Sequence, residues 1–359
     1  MKSPMNLSTL TLLALLFAGS CGGVFGQVVN LILLPKREAT IYDYVDKLPA
    51  EKKNAIAVIE GDQSGGTGFF ARFNDTVYLV TNLHVLYGNS TFKATISSGA
   101  EVKIAGMLAA READIALLKL TEEPKAYFDV QISVETKHKA GDAILVPGNS
   151  LGGGTILQTE GKIAGIGPAK IEHNAPTFRG NSGSPILSVD TWKVLGVDTM
   201  SVSVDRSCFA DDSSLMRRSS QVKSDVRLFG YRLDSVSQWE PIDWKRFVQQ
   251  AKTVEEADSQ ITGIVAVFNG DVTQWRRHPP TNAIMRELEE LINKPRISAV
   301  NIDNKKESIS VNFRNMLKKI EQDALDSTRT GYGYISQKYQ PLALRAKAVR
   351  EWSEARKVR

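Results

Sequence analysis

From Asn54 onward the chain is a succession of short apolar, β-branched runs separated by Gly, Asn and Asp. This texture restricts the fold more than any other feature. Residues 55–59, 77–80, 115–118, 143–146, 185–187 and 194–197 are each too short for a stable helix and fit the length of a strand. Many short strands with turn signals between them predict a sandwich or barrel, not an alternating α/β sheet. A last strand-like run spans residues 227–233, after a polar stretch at 205–223 whose Ser, Asp and Arg content predicts an exposed loop.

The pattern then changes period. Pro241 is expected to open a helix, with Asp243 in its first turn against the positive helix end. Trp244, Phe247, Val248 and Ala251 follow at i, i+3, i+4 and i+7, so one face packs on the rest of the protein. Met285, Leu288, Leu291 and Ile292 form a second helical stripe, and Phe313, Met316, Leu317 and Ile320 a third. The last twenty residues, rich in Ala, Arg and Lys, also read as helix.

Charge divides along the same line: residues 261–359 hold 18 Lys/Arg and 11 Asp/Glu, a balance of +7, against −2 for the first 260. Mixed charge on helices is ordinarily a solvated face. Lys305-Lys306, Lys318-Lys319 and the terminal Arg356-Lys357-Val358-Arg359 offer contacts for anionic surfaces, but aromatics are not interleaved among them. No nucleic-acid motif is present and no nucleic-acid partner is expected. A packing or partner role for the tail is favoured, with envelope contact behind it.

At the N-terminus, Lys2 precedes a brief apolar core from Leu10 to Ala18. It is about half the roughly 20 residues a membrane span requires, so residues 1–26 read as an export signal. Ala18-Gly19-Ser20-Cys21 resembles a bacterial lipobox and would leave a lipidated Cys21, a possible membrane attachment. Val24 and Gly26 alternatively suit ordinary cleavage before Gln27. Either route leaves Cys208 as the one free thiol, so no intrachain disulfide is expected and the fold must be held by its core. Residues 27–53 are a charged lead-in. The β-rich domain is assigned to 54–257 and the basic helical region to 258–359.

Three segments carry chemistry. His84 directly follows the apolar strand in Tyr78-Leu79-Val80-Thr81-Asn82-Leu83-His84-Val85, where neighbours can fix an imidazole as a general base requires. Taken alone it would more often be a hydrogen-bonded core histidine. Asp114 stands at the mouth of another apolar strand, where a carboxylate must be paired or hydrogen-bonded; alone, it reads as a turn residue. The strongest signal is Arg179-Gly180-Asn181-Ser182-Gly183-Ser184-Pro185. Glycines on both sides of one serine permit a turn that exposes its hydroxyl and directs consecutive amides at one point, as an oxyanion requires. A base, an orienting carboxylate and an activated hydroxyl are the parts of a serine-nucleophile triad, here in the order His, Asp, Ser.

That order and setting resemble the trypsin-like (chymotrypsin-fold) serine proteases, and within them the bacterial Deg-type proteases and glutamyl endopeptidases. The points of similarity are Gly66-Thr67-Gly68-Phe69, Thr81-Asn82-Leu83-His84-Val85, Ala113-Asp114-Ile115-Ala116 and Gly180-Asn181-Ser182-Gly183-Ser184-Pro185, within residues 54–252. The resemblance implies a mainly β fold of two six-stranded antiparallel β-barrels, followed here by the α-helical C-terminal extension. It implies an exported, periplasmic or secreted serine endopeptidase acting on protein or peptide substrates, with no metal and no cofactor. Ser182 would be the nucleophile, His84 the general base and Asp114 its orienting partner. The amides of Gly180 and Ser182 would form the oxyanion hole, and Thr199 would support Asp114.

Thr177 and Asp198 fall where these families line the substrate pocket. Asp198 stands where glutamyl endopeptidases place a histidine, so a Glu preference does not carry over. Either it forms an acidic wall favouring a basic side chain, or it turns away and bonds locally. Pro176, six residues before Ser182, leaves no trypsin-like acidic floor. The Deg-type PDZ module has no counterpart in the helical tail, which removes the basis for transferring that family's oligomers. The other class of function compatible with these residues is a catalytically silent protease-like domain kept for binding, or a chaperone-like envelope protein.

Overall fold

The computed structural model describes residues 44–73, 75–204, 225–356 and 358. The export segment with Cys21, the loop expected at 205–223 and Cys208 lie outside the described residues.

In chain order the elements are α1 (Ala50–Lys53), β1 (Ile56–Gly61), β2 (Gly65–Phe73), β3 (Thr76–Thr81), α2 (Leu83–Leu86), β4 (Phe92–Ile96), β5 (Ile104–Ala110) and β6 (Ala116–Leu120). Then come β7 (Phe128–Asp129), α3 (Val134–Lys137), β8 (Ala143–Gly148), β9 (Leu157–Ile166), β10 (Lys170–His173), β11 (Pro185–Ser188), β12 (Val194–Val204), β13 (Asp225–Arg232) and β14 (Trp239–Pro241). The helices α4 (Trp244–Asn269), α5 (Val272–Trp275), α6 (Pro279–Ile292), α7 (Ala299–Ser327) and α8 (Gly333–Glu354) complete the chain.

The strands form two sheets. The second is a closed six-stranded barrel in the order β10-β13-β12-β11-β8-β9. The first differs from the expected six-stranded barrel: it is an eight-stranded sheet in the order β14-β5-β6-β3-β2-β1-β4, with β7 attached in parallel to β2. The extra strands are short. β14 returns from beyond the second barrel to pair Trp239 with Ala110, a contact no local pattern announces.

Successive side chains of a strand point to opposite faces, and in the first sheet both faces are buried. Ile56, Phe69, Val80 and Leu117 face a core shared with Leu145, Leu187, Val197 and Tyr231 of the barrel. Their neighbours Ala57, Phe70, Leu79 and Leu118 face the other way, into a core shared with Phe247, Ile261, Phe268 and Phe313 of the helices. Burial on two sides explains why these strands read as continuous apolar runs and not as alternation. The barrel interior holds a separate cluster around Ile144, Val146, Ile163 and Ile186.

The helical region is therefore continuous with the core of the first sheet. The boundary expected at 257/258 falls inside α4, which runs unbroken for 26 residues. Asp243 is the residue before this helix and not part of its first turn: its side chain accepts a hydrogen bond from the Arg246 N–H at 3.0 Å, which caps the helix. On the tail's surface Lys305 pairs with Glu287 (2.7 Å), Lys319 with Asp323 (2.5 Å) and Arg350 with Glu321 (3.1 Å). Part of its basic charge is thus balanced locally. Among the described residues no helix is long and apolar enough to cross a membrane.

Candidate active site

His84 lies in α2, one short turn beyond the end of β3, and Asp114 lies in the loop that leads into β6. β3 and β6 are adjacent antiparallel strands with Thr81 opposite Ala116, so pairing alone brings the two segments together across 30 residues of sequence. The contacts are direct. His84 Nδ1 is 2.5 Å from Asp114 Oδ2, and the His84 backbone N–H donates to Asp114 Oδ1 at 2.9 Å. The Asn82 side-chain amide donates to the Asp114 carbonyl at 2.6 Å, which fixes the loop itself. A carboxylate accepts, so in the neutral imidazole the ring proton sits on Nδ1 and the lone pair on Nε2. The Asp114 side chain is 7% exposed and that of His84 26%, leaving the imidazole open on one side.

Thr199 reaches the same carboxylate from the other sheet. Its Oγ1 donates to Asp114 Oδ2 at 3.1 Å. The ladder between β12 and β13 shifts here: Asp198 lies opposite Gly230 and Met200 opposite Phe229, leaving Thr199 without a partner. Such a bulge re-aims one side chain. In this case it directs the hydroxyl out of the barrel and onto Asp114.

Ser182 sits in the turn between β10 and β11, held by β2, the end of β8 and β12. The Ser182 carbonyl accepts from the Thr67 N–H (2.8 Å) and the Gly183 N–H donates to the Asp198 carbonyl (2.9 Å). Gly180 and Gly183 have φ of +96° and +86°. A Cβ on Gly180 would lie 2.0 Å from the Asn149 carbonyl oxygen, and one on Gly183 would lie 2.0 Å from that of Thr67. Neither position admits a side chain. Thr67, fully buried, is the centre of this arrangement. Its hydroxyl donates to the Gly180 carbonyl (2.7 Å) and accepts from the Asn149 N–H (2.9 Å), while its carbonyl accepts from Thr81 Oγ1 (2.7 Å).

The Arg179 carbonyl accepts from the Leu151 N–H at 2.6 Å. In a trans peptide the C=O and N–H point in opposite directions, so the Gly180 N–H is turned away from Leu151. Beside this turn a cleft of about 820 Å³ opens, lined by residues 59–65, Asn149, Leu151, Arg179 and Gly180 among others.

The two halves of the site meet at Gly66. A Cβ there would fall 2.7 Å from both the Ser182 carbonyl oxygen and Val85 Cγ2, so the serine turn and the residue after His84 press on one backbone position. Among the described residues no hydrogen bond joins Ser182 Oγ to the His84 ring. Thr177 is half-buried on the segment leading to the turn.

Asp198 is buried, and its Oδ1 lies 3.1 Å from Nε2 of His173, itself fully buried. Of the two arrangements open for Asp198, the structure holds the local one: the carboxylate is engaged inside the barrel and is not an open acidic wall. Burial raises its pKa above the ordinary 3.8, and the His173 contact opposes that rise. For a carboxyl whose folded pKa is raised, the contribution to stability is full below about pH 4 and is lost as pH climbs through the folded value. Asp198→Asn is not subject to that loss. Its Tm relative to wild type should therefore increase between about pH 4 and pH 8 in thermal denaturation; a difference that stays flat or falls would contradict the assignment.

Two residues of the site carried no sequence signal of their role. Thr67 was visible only as part of Gly66-Thr67-Gly68-Phe69, with nothing to indicate that it clamps the serine turn 113 residues away. Tyr334, in the helical tail, has its ring centroid 5.9 Å from that of His84.

Residues 66–197 match the profile of the trypsin-like peptidase domain family. A relative named probable periplasmic serine endoprotease DegP-like, from Rhizobium meliloti, is 32% identical over 141 residues, covering 37% of this chain and 27% of its own. The serine protease Do-like HtrA of Bacillus subtilis is 25% identical over 156 residues, covering 40% and 34%. The chain thus spans about a third or less of the length of these curated relatives. Among solved structures, the serine endoprotease from Yersinia pestis is 20% identical with a TM-score of 0.36, covering 42% of this chain and 56% of its own.

Proposed function

With residues 66–197 a trypsin-like peptidase domain, we propose that the protein is an exported serine endopeptidase cleaving protein or peptide substrates through an acyl-enzyme on Ser182. The observation that carries the reading is the set of bonds converging on Asp114: the His84 ring, the His84 backbone and the Thr199 hydroxyl all meet one buried carboxylate. That arrangement leaves Nε2 of His84 as the free base.

Ser182 Oγ attacks the scissile carbonyl carbon while its proton passes to Nε2 of His84. The charge developing on the carbonyl oxygen is met by the amides of Gly180 and Ser182. Collapse of the tetrahedral adduct breaks the C–N bond, and the imidazolium returns its proton to the leaving amine. Water, deprotonated by His84, then attacks the ester and frees Ser182. Asp114 stabilises the imidazolium in both halves. The serine–histidine bond is one that tightens when substrate occupies the site. We assign the peptide to the cleft that borders the serine turn at Arg179 and Gly180. Export to the periplasm is supported by the N-terminal Lys2 and apolar core, and by the word periplasmic in the name of the Rhizobium meliloti relative.

Incubating the purified chain with a mixed peptide library tests the proposal. Cleavage at a restricted set of bonds is expected. Intact peptides after prolonged incubation over a broad pH range would favour instead the protease-like binding protein, which shares the fold without turnover.

A further inference from the structure

We propose that Tyr334 is a positioning residue for the His84 imidazole, so that the helical C-terminal region completes the active site of the peptidase domain. This rests on the peptidase reading above.

The ring of Tyr334 meets His84 at 5.9 Å with an interplanar angle of 45°, and meets Tyr87 edge-on at 5.6 Å and 78°. Tyr87 follows α2, the helix that carries His84, so Tyr334 bears on both the imidazole and its support. Lys338, one helical turn on, places Nζ 4.8 Å from the same ring centroid. Aromatic contacts of this kind are directional, which distinguishes them from apolar filling.

The placement is anchored on both sides. Tyr332 is buried, with its hydroxyl accepting from the Asp243 N–H at 2.9 Å and its ring packed 5.8 Å from that of Phe247. Ile335 is fully buried. Between them, a Cβ on Gly333 would fall 2.4 Å from the Ala110 carbonyl oxygen and 2.6 Å from that of Arg111. Only glycine lets the helix start press against the strand end that leads to Asp114. The first turn of α8 is thus locked against the loops of both His84 and Asp114. Tyr334 itself stays half-buried, its ring beside the one side chain whose orientation the reaction needs.

A general base displaced slightly from its productive geometry loses rate, not substrate affinity. In the full-length chain, Tyr334→Leu keeps apolar bulk and removes the ring. It should lower kcat on the order of 10-fold to 100-fold, with KM changed by less than about twofold. Tyr334→Phe, which retains the ring, should recover most of the lost rate. If Tyr334→Leu does not fold, Tyr334→Met, unbranched and adaptable, takes its place.

Equal kcat in wild type and the Leu or Met variant, with wild type active, would overturn the inference and leave the peptidase reading standing. So would a loss confined to KM, or one that Phe does not recover. A wild-type chain that neither hydrolyses peptides nor reacts with a fluorophosphonate would end both.

Discussion

Ser182→Ala is expected to lower peptide hydrolysis by on the order of 10⁴-fold or more while leaving the fold intact. The two parts of this expectation have separate grounds. Without an oxygen at Cβ no ester can form, and only weak catalysis by bound water and the oxyanion amides remains. The turn, however, is held by its backbone. The Ser182 carbonyl bonds to Thr67, the Gly183 N–H to Asp198 and the Ser184 N–H to the Asn181 carbonyl (2.8 Å). Glycines at 180 and 183 supply its conformation, and none of this uses the hydroxyl. Among the described residues Ser182 Oγ forms no hydrogen bond, so its removal strands no buried partner and stability should change by less than about 1 kcal/mol. Steady-state kinetics and thermal denaturation on one preparation check both parts. Unaltered turnover would remove Ser182 from the mechanism, and a collapsed Tm would show that the hydroxyl is structural.

Asp114→Asn should cost about 10⁴-fold in kcat, on the order of 5 kcal/mol of transition-state stabilisation. The substitution is nearly isosteric, and Asn82 bonds to the main-chain carbonyl of residue 114, which is unaltered. What changes is the direction of the hydrogen bonds. Asp114 accepts from the His84 ring through one oxygen and from the His84 backbone through the other. An asparagine has a single acceptor, and the backbone N–H of His84, which has no tautomer to change, claims it. Its NH₂ then faces Nδ1, the ring proton moves to Nε2, and the base loses the lone pair it needs. Thr199, which also donates to Oδ2, would face a donor as well. Loss of kcat with a nearly unchanged fold is the expected pattern, measured by peptide hydrolysis across a pH series. A variant within about tenfold of wild type would show that Asp114 does not set the tautomer.

The parts of this site that could be read from the chain are those with local punctuation. Ser182 is marked by its glycines, and His84 and Asp114 by apolar strands beside them. Thr199 is marked by resemblance alone, since the bulge that aims it depends on register between β12 and β13, which sequence does not display. Thr67 and Tyr334 act over 113 and 250 residues of separation, and neither differs locally from an ordinary strand or helix residue. The same limit explains the architecture. Strand positions followed from hydropathy, but the eight-stranded form of the first sheet depends on β14 returning to β5 after the whole second barrel. The helical tail looked like a separable appendage because its stripes were visible and their destination was not. Phe247, Ile261, Phe268 and Phe313 share one core with Leu79 of β3 and with Leu83 and Val85, which flank His84.

Asp198 shows the same limit in the opposite sense. Its match to the pocket histidine of glutamyl endopeptidases leaves both a wall facing substrate and a local bond open. His173, which holds it, is 25 residues away on a strand with no pattern connecting the two.

The mechanism requires Ser182 to be a nucleophile activated by His84. Treatment of the intact chain with a fluorophosphonate, followed by peptide mapping in a mass spectrometer, tests this at the reacting atom. One covalent adduct is expected, on the peptide containing Ser182, absent in Ser182→Ala and formed far more slowly in Asp114→Asn. An unlabelled Ser182 at every pH tried, or an adduct on a different serine, would contradict it.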